Sequence, residues 1–297
     1  GIGISNTPRA CGEELTEWYC RKENDVLISC GGGELMCEIL DYVDFERIRR
    51  AEPKWYMGLS DNTNFTFLLT TLCDTASIYG PCAGSFAMNP WDPSLQDAFD
   101  LLTGEKTWVQ GYPLWEKGGM DMEETMRNRD PEAPYRLTEP KILRSYVGGR
   151  PAAGGEEIRF RGRLVGGCLD CLANLAGTNY DQVEAFAGRN RDEGIIWFLE
   201  SCDLTVMSVR RAIWELKHAG WFSHVKGFLI GRPLHFGEEL MGLDQYHAVL
   251  DLLEELNVPV IMDADLGHLP PSMPILCGAM GEVTVRDSDI RICYGKE

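Results

Sequence analysis

Long apolar runs are missing from this 297-residue chain. Nothing approaches the ~20 residues needed to span a bilayer, and no signal-peptide pattern stands at the start. Basic charge is also short: 28 Lys and Arg face 46 Asp and Glu, a formal net charge of −18. A nucleic-acid binder displaces counterions with a basic face, and an anionic membrane surface attracts one. This balance therefore argues against a nucleic-acid polymer and against a membrane as partners. The acidic residues are spread along the chain, as on a solvated surface. Full cofactor and metal signatures are lacking too. There is no G-x-G-x-x-G, no P-loop and no H-E-x-x-H, and no internal repeat or low-complexity tract.

What is present fits a globular protein of one large or two ordinary domains, with 44% hydrophobic and 25% charged residues. The opening Gly1-Ile2-Gly3-Ile4-Ser5 reads as a start inside a fold, which suggests a trimmed N-terminus. The 11 cysteines are odd in number and scattered. A disulfide framework favours short secreted chains with even counts, so free thiols in a reducing cytoplasm fit better. Cys168 and Cys171 form the only C-x-x-C, with no second pair or histidine motif to complete a zinc site. They either bind metal or face a core at a helix start.

From Asp25 to Gly80 the chain alternates. "DVLISC" reads as a buried strand running into Gly31-Gly32-Gly33, and "ELMCEILDYVDFERIRRA" has helical periodicity. "KWYM" is a strand, Asp61 opens a helix that runs to about Asp74, and "ASIYG" is another strand. This order with short glycine turns implies a parallel sheet. Asn89 to Arg150 differs: one helical stretch, "NPWDPSLQDAFDLLTG", precedes a Pro-, Gly- and Trp-rich crossing segment with little regular structure. That segment is either a binding loop or a connector. From Glu156 alternation resumes. "EIRFRGRLVGG" reads as strand pieces around a turn and "LDCLANLAG" as a short helix. "GIIWFLE", "VKGFLIG" and "VPVIMD" read as strands separated by amphipathic helices, and "EVTVRDSDIRICYG" as a hairpin.

Ligands of open parallel α/β sheets bind beyond the carboxyl ends of the strands. By that rule Ser60 follows "KWYM", Glu200 ends "GIIWFLE", and His268 lies just past "VPVIMD". A serine hydroxyl needs a base to become nucleophilic. His268 suits that role, and Glu200 would hold its tautomer and stabilise the imidazolium. The glycine turn and the N–H of Asp61 would supply donors to an oxyanion. Blander readings stand beside this one. Ser60 is also a natural helix N-cap, Glu200 a strand-end carboxylate, and His268 a loop histidine. Asp263, Asp265 and His268 could instead hold a divalent ion, although no full ligand set appears. The glycine turn could bind a phosphate in a non-catalytic Rossmann-like module.

Several ordered stretches resemble the LD-carboxypeptidase family of serine peptidases, which includes the microcin C immunity peptidases. "GGGELMCEILDYVDFERIRRAEPKWYMGLSDNT" is similar to that family's glycine turn, helix and nucleophile turn. "GRLVGGCLDCLANLAGTNY", "GIIWFLE", "AGWFSHVKGFLIGR" and "GHLPPSMPILCGAMGEV" follow in family order. The resemblance implies Ser60 as nucleophile, Glu200 as orienting acid and His268 as base. It also implies backbone oxyanion donors near Gly32 and Gly33 and from Asp61, and no metal or cofactor. The implied fold is α/β, with a Rossmann-like parallel-sheet N-terminal half, a C-terminal half of mixed β and α, and the site between them. The expected divisions are 1–88 for the first half, 89–150 for a linker and possible substrate loop, and 151–297 for the second.

The resemblance further implies a cytoplasmic homodimer acting on a peptide or peptidyl conjugate. The first expectation is cleavage of the terminal D-alanine from a muropeptide tetrapeptide, with a peptidyl- or aminoacyl-nucleotide conjugate as the alternative. Trp91, Trp108 and Trp115 look more like the immunity-peptidase branch, where they would stack on a base or simply pack between halves. The sequence departs from the family pattern in two places. "GGGEL" stands for "GGYGS", and Cys168 stands where asparagine is usual.

Overall fold

The computed structural model describes residues 5–118 and 130–295. The opening residues 1–4 and the 119–129 part of the expected crossing segment lie outside the described residues. A first sheet sets Val26–Ile28, Trp55–Gly58 and Ser77–Tyr79 side by side in parallel. Ile275–Cys277, from far along the chain, closes it antiparallel against Ser77–Tyr79. Val26–Ile28 is only half-buried, less than its apolar run suggests.

A second sheet has nine strands among the described residues. Its centre is parallel: Glu157–Cys168, Ile195–Glu200, Val225–Gly231 and Pro259–Ala264. The hairpin of Met280–Arg286 and Asp289–Tyr294 extends one side. The fold is thus α/β with parallel and antiparallel strands.

Central strands of a sheet covered on both faces read as continuous apolar runs, and Ile195–Glu200 is buried at every position. Successive side chains still point to opposite faces. Ile195, Trp197 and Leu199 join a core with Phe67, Ile213 and Leu216, while Ile196 and Phe198 join a second core with Leu229, Ile261 and Val283. Helix Thr63–Cys73 is apolar all round because it lies between the sheets. Its Phe65 packs edge-on to Tyr56 with centroids 4.7 Å apart, and its Phe67 stacks on Trp221 at 5.2 Å.

Three local readings are corrected. "EIRFRGRLVGG" is one continuous strand within Glu157–Cys168, not pieces around a turn. Gly162 is there because the neighbouring strand passes close: a Cβ would stand 3.0 Å from the Gly194 carbonyl. The expected helix "ELMCEILDYVDFERIRRA" is two pieces, a 3-10 helix Met36–Tyr42 and an α-helix Phe45–Arg50. Asp44 divides them, its carboxylate accepting from the Arg47 N–H at 2.8 Å as an N-cap.

The segment from 89 to 150 is also more regular than expected. Helix Pro93–Thr103 forms as read. Beyond it, Trp108–Gln110 pairs with Asp289–Tyr294, and Arg144–Val147 pairs with Pro259–Ala264, at opposite ends of the second sheet. Strands of three or four residues carry too little periodicity to be read from sequence. Among the described residues no helix is long and apolar enough to cross a membrane.

Candidate active site

Ser60 follows strand Trp55–Gly58 and opens a 3-10 turn, Ser60–Asn62, that runs into helix Thr63–Cys73. Its φ is +65°, left-handed backbone that a residue with a Cβ adopts at a cost of about 1–2 kcal/mol. The expected N-cap role is corrected. Neither the 3-10 turn nor the helix has a side-chain cap, so the Ser60 hydroxyl is not used to close a helix end.

Two neighbours hold this turn. The Asn62 amide donates to the carbonyls of Gly31 at 3.0 Å and Leu59 at 2.9 Å, and its oxygen accepts from the Tyr56 hydroxyl at 2.6 Å. Asp61 accepts from the Met36 N–H and from the Asn64 amide, each at 2.9 Å. The glycine turn is thereby fastened over Ser60. A Cβ on Gly32 would stand 3.5 Å from the Ser60 Oγ, and one on Gly33 would stand 2.9 Å from the Asp61 carboxylate.

The second sheet supplies the acid. Glu200 is 2% exposed at the end of its strand. His268 Nδ1 lies 2.8 Å from Glu200 Oε2. A carboxylate only accepts, so Nδ1 carries the proton and Nε2 is left as the basic nitrogen. Burial pushes the His268 imidazole down, but the Glu200 charge, with hydrogen bonds to Cys202 and Glu200, outweighs it and holds the ring well above its ordinary range. Burial likewise pushes Glu200 up, and the His268 charge, with hydrogen bonds from His268, Tyr79 and Cys168, brings it below the usual carboxylate value.

Ser60 and His268 line one cavity of about 650 Å³, with Gly32, Gly33 and Cys202 in the same wall. Sequence reasoning missed Tyr79, at the end of strand Ser77–Tyr79. Its hydroxyl donates to Glu200 Oε1 at 2.5 Å and accepts from the Ser60 N–H at 3.2 Å. The strand-end rule that picks out Glu200 would have found it in "ASIYG". The two sheets meet at Thr63, whose hydroxyl accepts from the Cys168 N–H at 3.0 Å. A Cβ on Gly167 would stand 2.6 Å from that threonine.

Other candidates lie elsewhere. Trp91, Trp108 and Trp115 are not among the residues that line the Ser60 cavity. Trp91 packs against Phe86 and Phe99. Trp108 sits between Lys106 and Arg291, and Trp115 is buried against Phe236 and Arg232. Asp263 and Asp265 are committed away from His268. Asp263 accepts from Gln245 and Tyr246, each at 2.8 Å. Asp265 pairs with the buried Arg232 and accepts from the Tyr112 N–H. Cys168 and Cys171 pack in a small buried cluster with Cys202, and each of the 11 cysteines is a free thiol.

Known proteins share this arrangement of elements. Residues 2–80 match the model of the LD-carboxypeptidase N-terminal domain, and residues 161–283 match that of the LD-carboxypeptidase C-terminal domain. A Vibrio cholerae protein named "putative carboxypeptidase" is 23% identical over 286 residues, spanning 94% of this chain and 78% of its own. Among solved structures, the microcin C7 self-immunity protein MccF in complex with aspartyl sulfamoyl adenosine has the same fold. It matches with a TM-score of 0.75 at 20% identity, over 98% of this chain and 82% of that one. A muramoyltetrapeptide carboxypeptidase from Oxalobacter formigenes matches with a TM-score of 0.69 at 19% identity, over 99% and 85%.

Proposed function

The chain belongs to the LD-carboxypeptidase family, and on that premise we propose that it is a serine carboxypeptidase working through Ser60, Glu200 and His268. The observation that carries the reading is the buried His268–Glu200 hydrogen bond of 2.8 Å in the wall of the cavity that Ser60 enters. Ser60 Oγ attacks the scissile carbonyl and His268 Nε2 takes its proton. Glu200 stabilises the imidazolium that forms. The tetrahedral oxyanion is met by backbone N–H groups of the glycine turn, at Gly32 and Gly33, and of Asp61. His268 then hands the proton to the leaving amine, and an acyl-enzyme remains. Water, deprotonated by His268, attacks that ester and frees Ser60.

The substrate proposed first is a muropeptide tetrapeptide, cut at the L,D-peptide bond to its terminal D-alanine. A second reading keeps the chemistry and changes the substrate to a peptidyl- or aminoacyl-nucleotide conjugate. The likeness to MccF, solved with aspartyl sulfamoyl adenosine, favours it, and a 650 Å³ cavity is within the range that takes a ligand of that size.

Mass-spectrometric turnover of a tetrapeptide and of a peptidyl-adenylate analogue, by the wild type and Ser60→Ala, separates the two. Loss of D-alanine that depends on Ser60 supports the first reading. Cleavage of the conjugate alone supports the second. Turnover of neither favours a non-catalytic binding module, and undiminished turnover by Ser60→Ala rejects the mechanism.

A further inference from the structure

A smaller pocket of about 60 Å³ opens beside Ser60 and shares Gly33, Glu34 and Cys202 with the main cavity. Four carboxylates line it, from Glu34, Asp61, Asp170 and Asp203, and neither pocket has a lysine or arginine among its lining residues. Two of the four are already engaged. Asp61 accepts from Met36 and Asn64, and Asp170 accepts from the N–H groups of Cys202 at 3.0 Å and Asp203 at 2.9 Å. The other two are not. Glu34 makes no hydrogen bond or ion pair among the described residues, and Asp203 has only the Cys202 thiol, 3.9 Å away. Burial, and then the charges of Asp203, Asp61 and Asp170, push the Glu34 carboxyl up.

A second observation is independent of these charges. Asn64, in the wall of the same pocket, is 1% exposed. Its amide nitrogen donates to both the carbonyl and the carboxylate of Asp61, each at 2.9 Å. Both partners are acceptors, which fixes the orientation of the amide. Its Oδ1 is therefore the end left buried without a partner, a state that costs about 1–3 kcal/mol. The pocket thus offers uncompensated negative charge and an unanswered acceptor, and has no cation besides His268 nearby. A divalent ion is a poorer match, because among the described residues no three His, Cys, Asp or Glu groups converge as metal ligands.

We propose that this side pocket is a subsite for a protonated primary amine on the acyl group that Ser60 attacks, with Glu34 and Asp203 as counter-charges and Asn64 Oδ1 as acceptor. Placing the amine on the acyl group rests on the serine-hydrolase reading; the binding of an ammonium does not. The amine is either the α-amine of an aminoacyl group or a side-chain amine of the residue before the scissile bond.

Four peptides ending in L-Lys–D-Ala distinguish these sources, with the side-chain amine free or acetylated and the N-terminus free or acetylated. Their affinities for the Ser60→Ala protein are measured by calorimetry in the presence of a chelator. One free amine is expected to tighten binding by about tenfold or more, and the position that does so identifies the source. In Glu34→Gln/Asp203→Asn on the same background the ratio of free to acetylated is expected to fall to within about twofold, since charge-assisted bonds become neutral ones. Both side chains are exposed, and circular dichroism checks that the double variant is folded.

Equal binding of all four peptides, binding of none, or a preference that survives the double substitution would overturn the proposal. Wild-type turnover of the same peptides separates it from the hydrolase reading. Preference without Ser60-dependent cleavage sinks that reading and keeps the subsite; cleavage without preference does the reverse.

Discussion

The hydroxyl of Tyr79 bonds the carboxylate of Glu200 at 2.5 Å across 121 residues of chain. The same oxygen accepts from the Ser60 N–H, so one phenol joins the acid of the site to the turn that carries the serine. Burial, followed by the Glu200 charge, holds this phenol well above its ordinary pKa and keeps it a donor. Tyr79→Phe removes one bond to a buried charge, a loss of about 1.5–3 kcal/mol. Steady-state kinetics should show kcat/KM falling by about ten- to a hundredfold, with kcat carrying most of it. A change in KM alone would place Tyr79 outside this network.

The pH dependence follows from His268. Its pKa in the folded protein is raised, because the Glu200 charge and the hydrogen bonds outweigh burial. Catalysis needs the neutral ring, so kcat/KM should rise with pH along a limb above the ~6.5 of a free imidazole. Glu200→Gln removes the raising charge and leaves burial, so the limb should move to lower pH while kcat falls. A limb that stays in place would show that Glu200 does not set the ring's titration. The stability that the pair contributes has the same sign. It is fully present below the unfolded pKa and is lost as pH rises through the folded one.

Strain at Ser60 predicts a trade between stability and activity. At φ +65° a glycine escapes the Cβ penalty that serine and alanine bear. Ser60→Gly should be more stable than Ser60→Ala by about 0.5–1 kcal/mol in urea unfolding, the relief being partly offset by the freer unfolded chain. Both variants should lack hydrolysis. Equal stabilities would mean that the turn relaxes without its serine.

Gly267 is where the histidine loop passes the acid. Its φ is +100°, and a Cβ would stand 2.5 Å from Glu200 Oε2 and 2.9 Å from Glu200 Cβ. Gly267→Ala should therefore displace Glu200 from His268. The expected destabilisation is about 1–3 kcal/mol from overpacking, with kcat reduced more than tenfold. These are read by thermal unfolding and by turnover.

The strand-end rule made much of the site legible in the sequence. Ser60, Glu200 and His268 each stand just past an apolar run, and the structure brings Glu200 and His268 into one hydrogen bond and Ser60 into the same cavity. The register between distant strands was not legible. Tyr79 meets Glu200 only because Ile275–Cys277 closes the first sheet and Thr63 docks on Cys168, pairings that no local pattern encodes. The unexpected continuity of Glu157–Cys168 has a similar origin: Gly162 looks like a turn residue until the strand beside it is known. The tryptophans misled for another reason. Trp115 is drawn into packing with Phe236 and Arg232, and an apolar residue in a charged segment gives no sign of which surface will cover it.

The most direct measurement is the intact mass of the protein quenched in acid during turnover, followed by peptide mapping. The account predicts a mass increase equal to the acyl fragment, mapped to Ser60 and absent from both Ser60→Ala and His268→Ala. An acyl group mapped to a cavity thiol such as Cys82 or Cys202, or full turnover by Ser60→Ala, would contradict it.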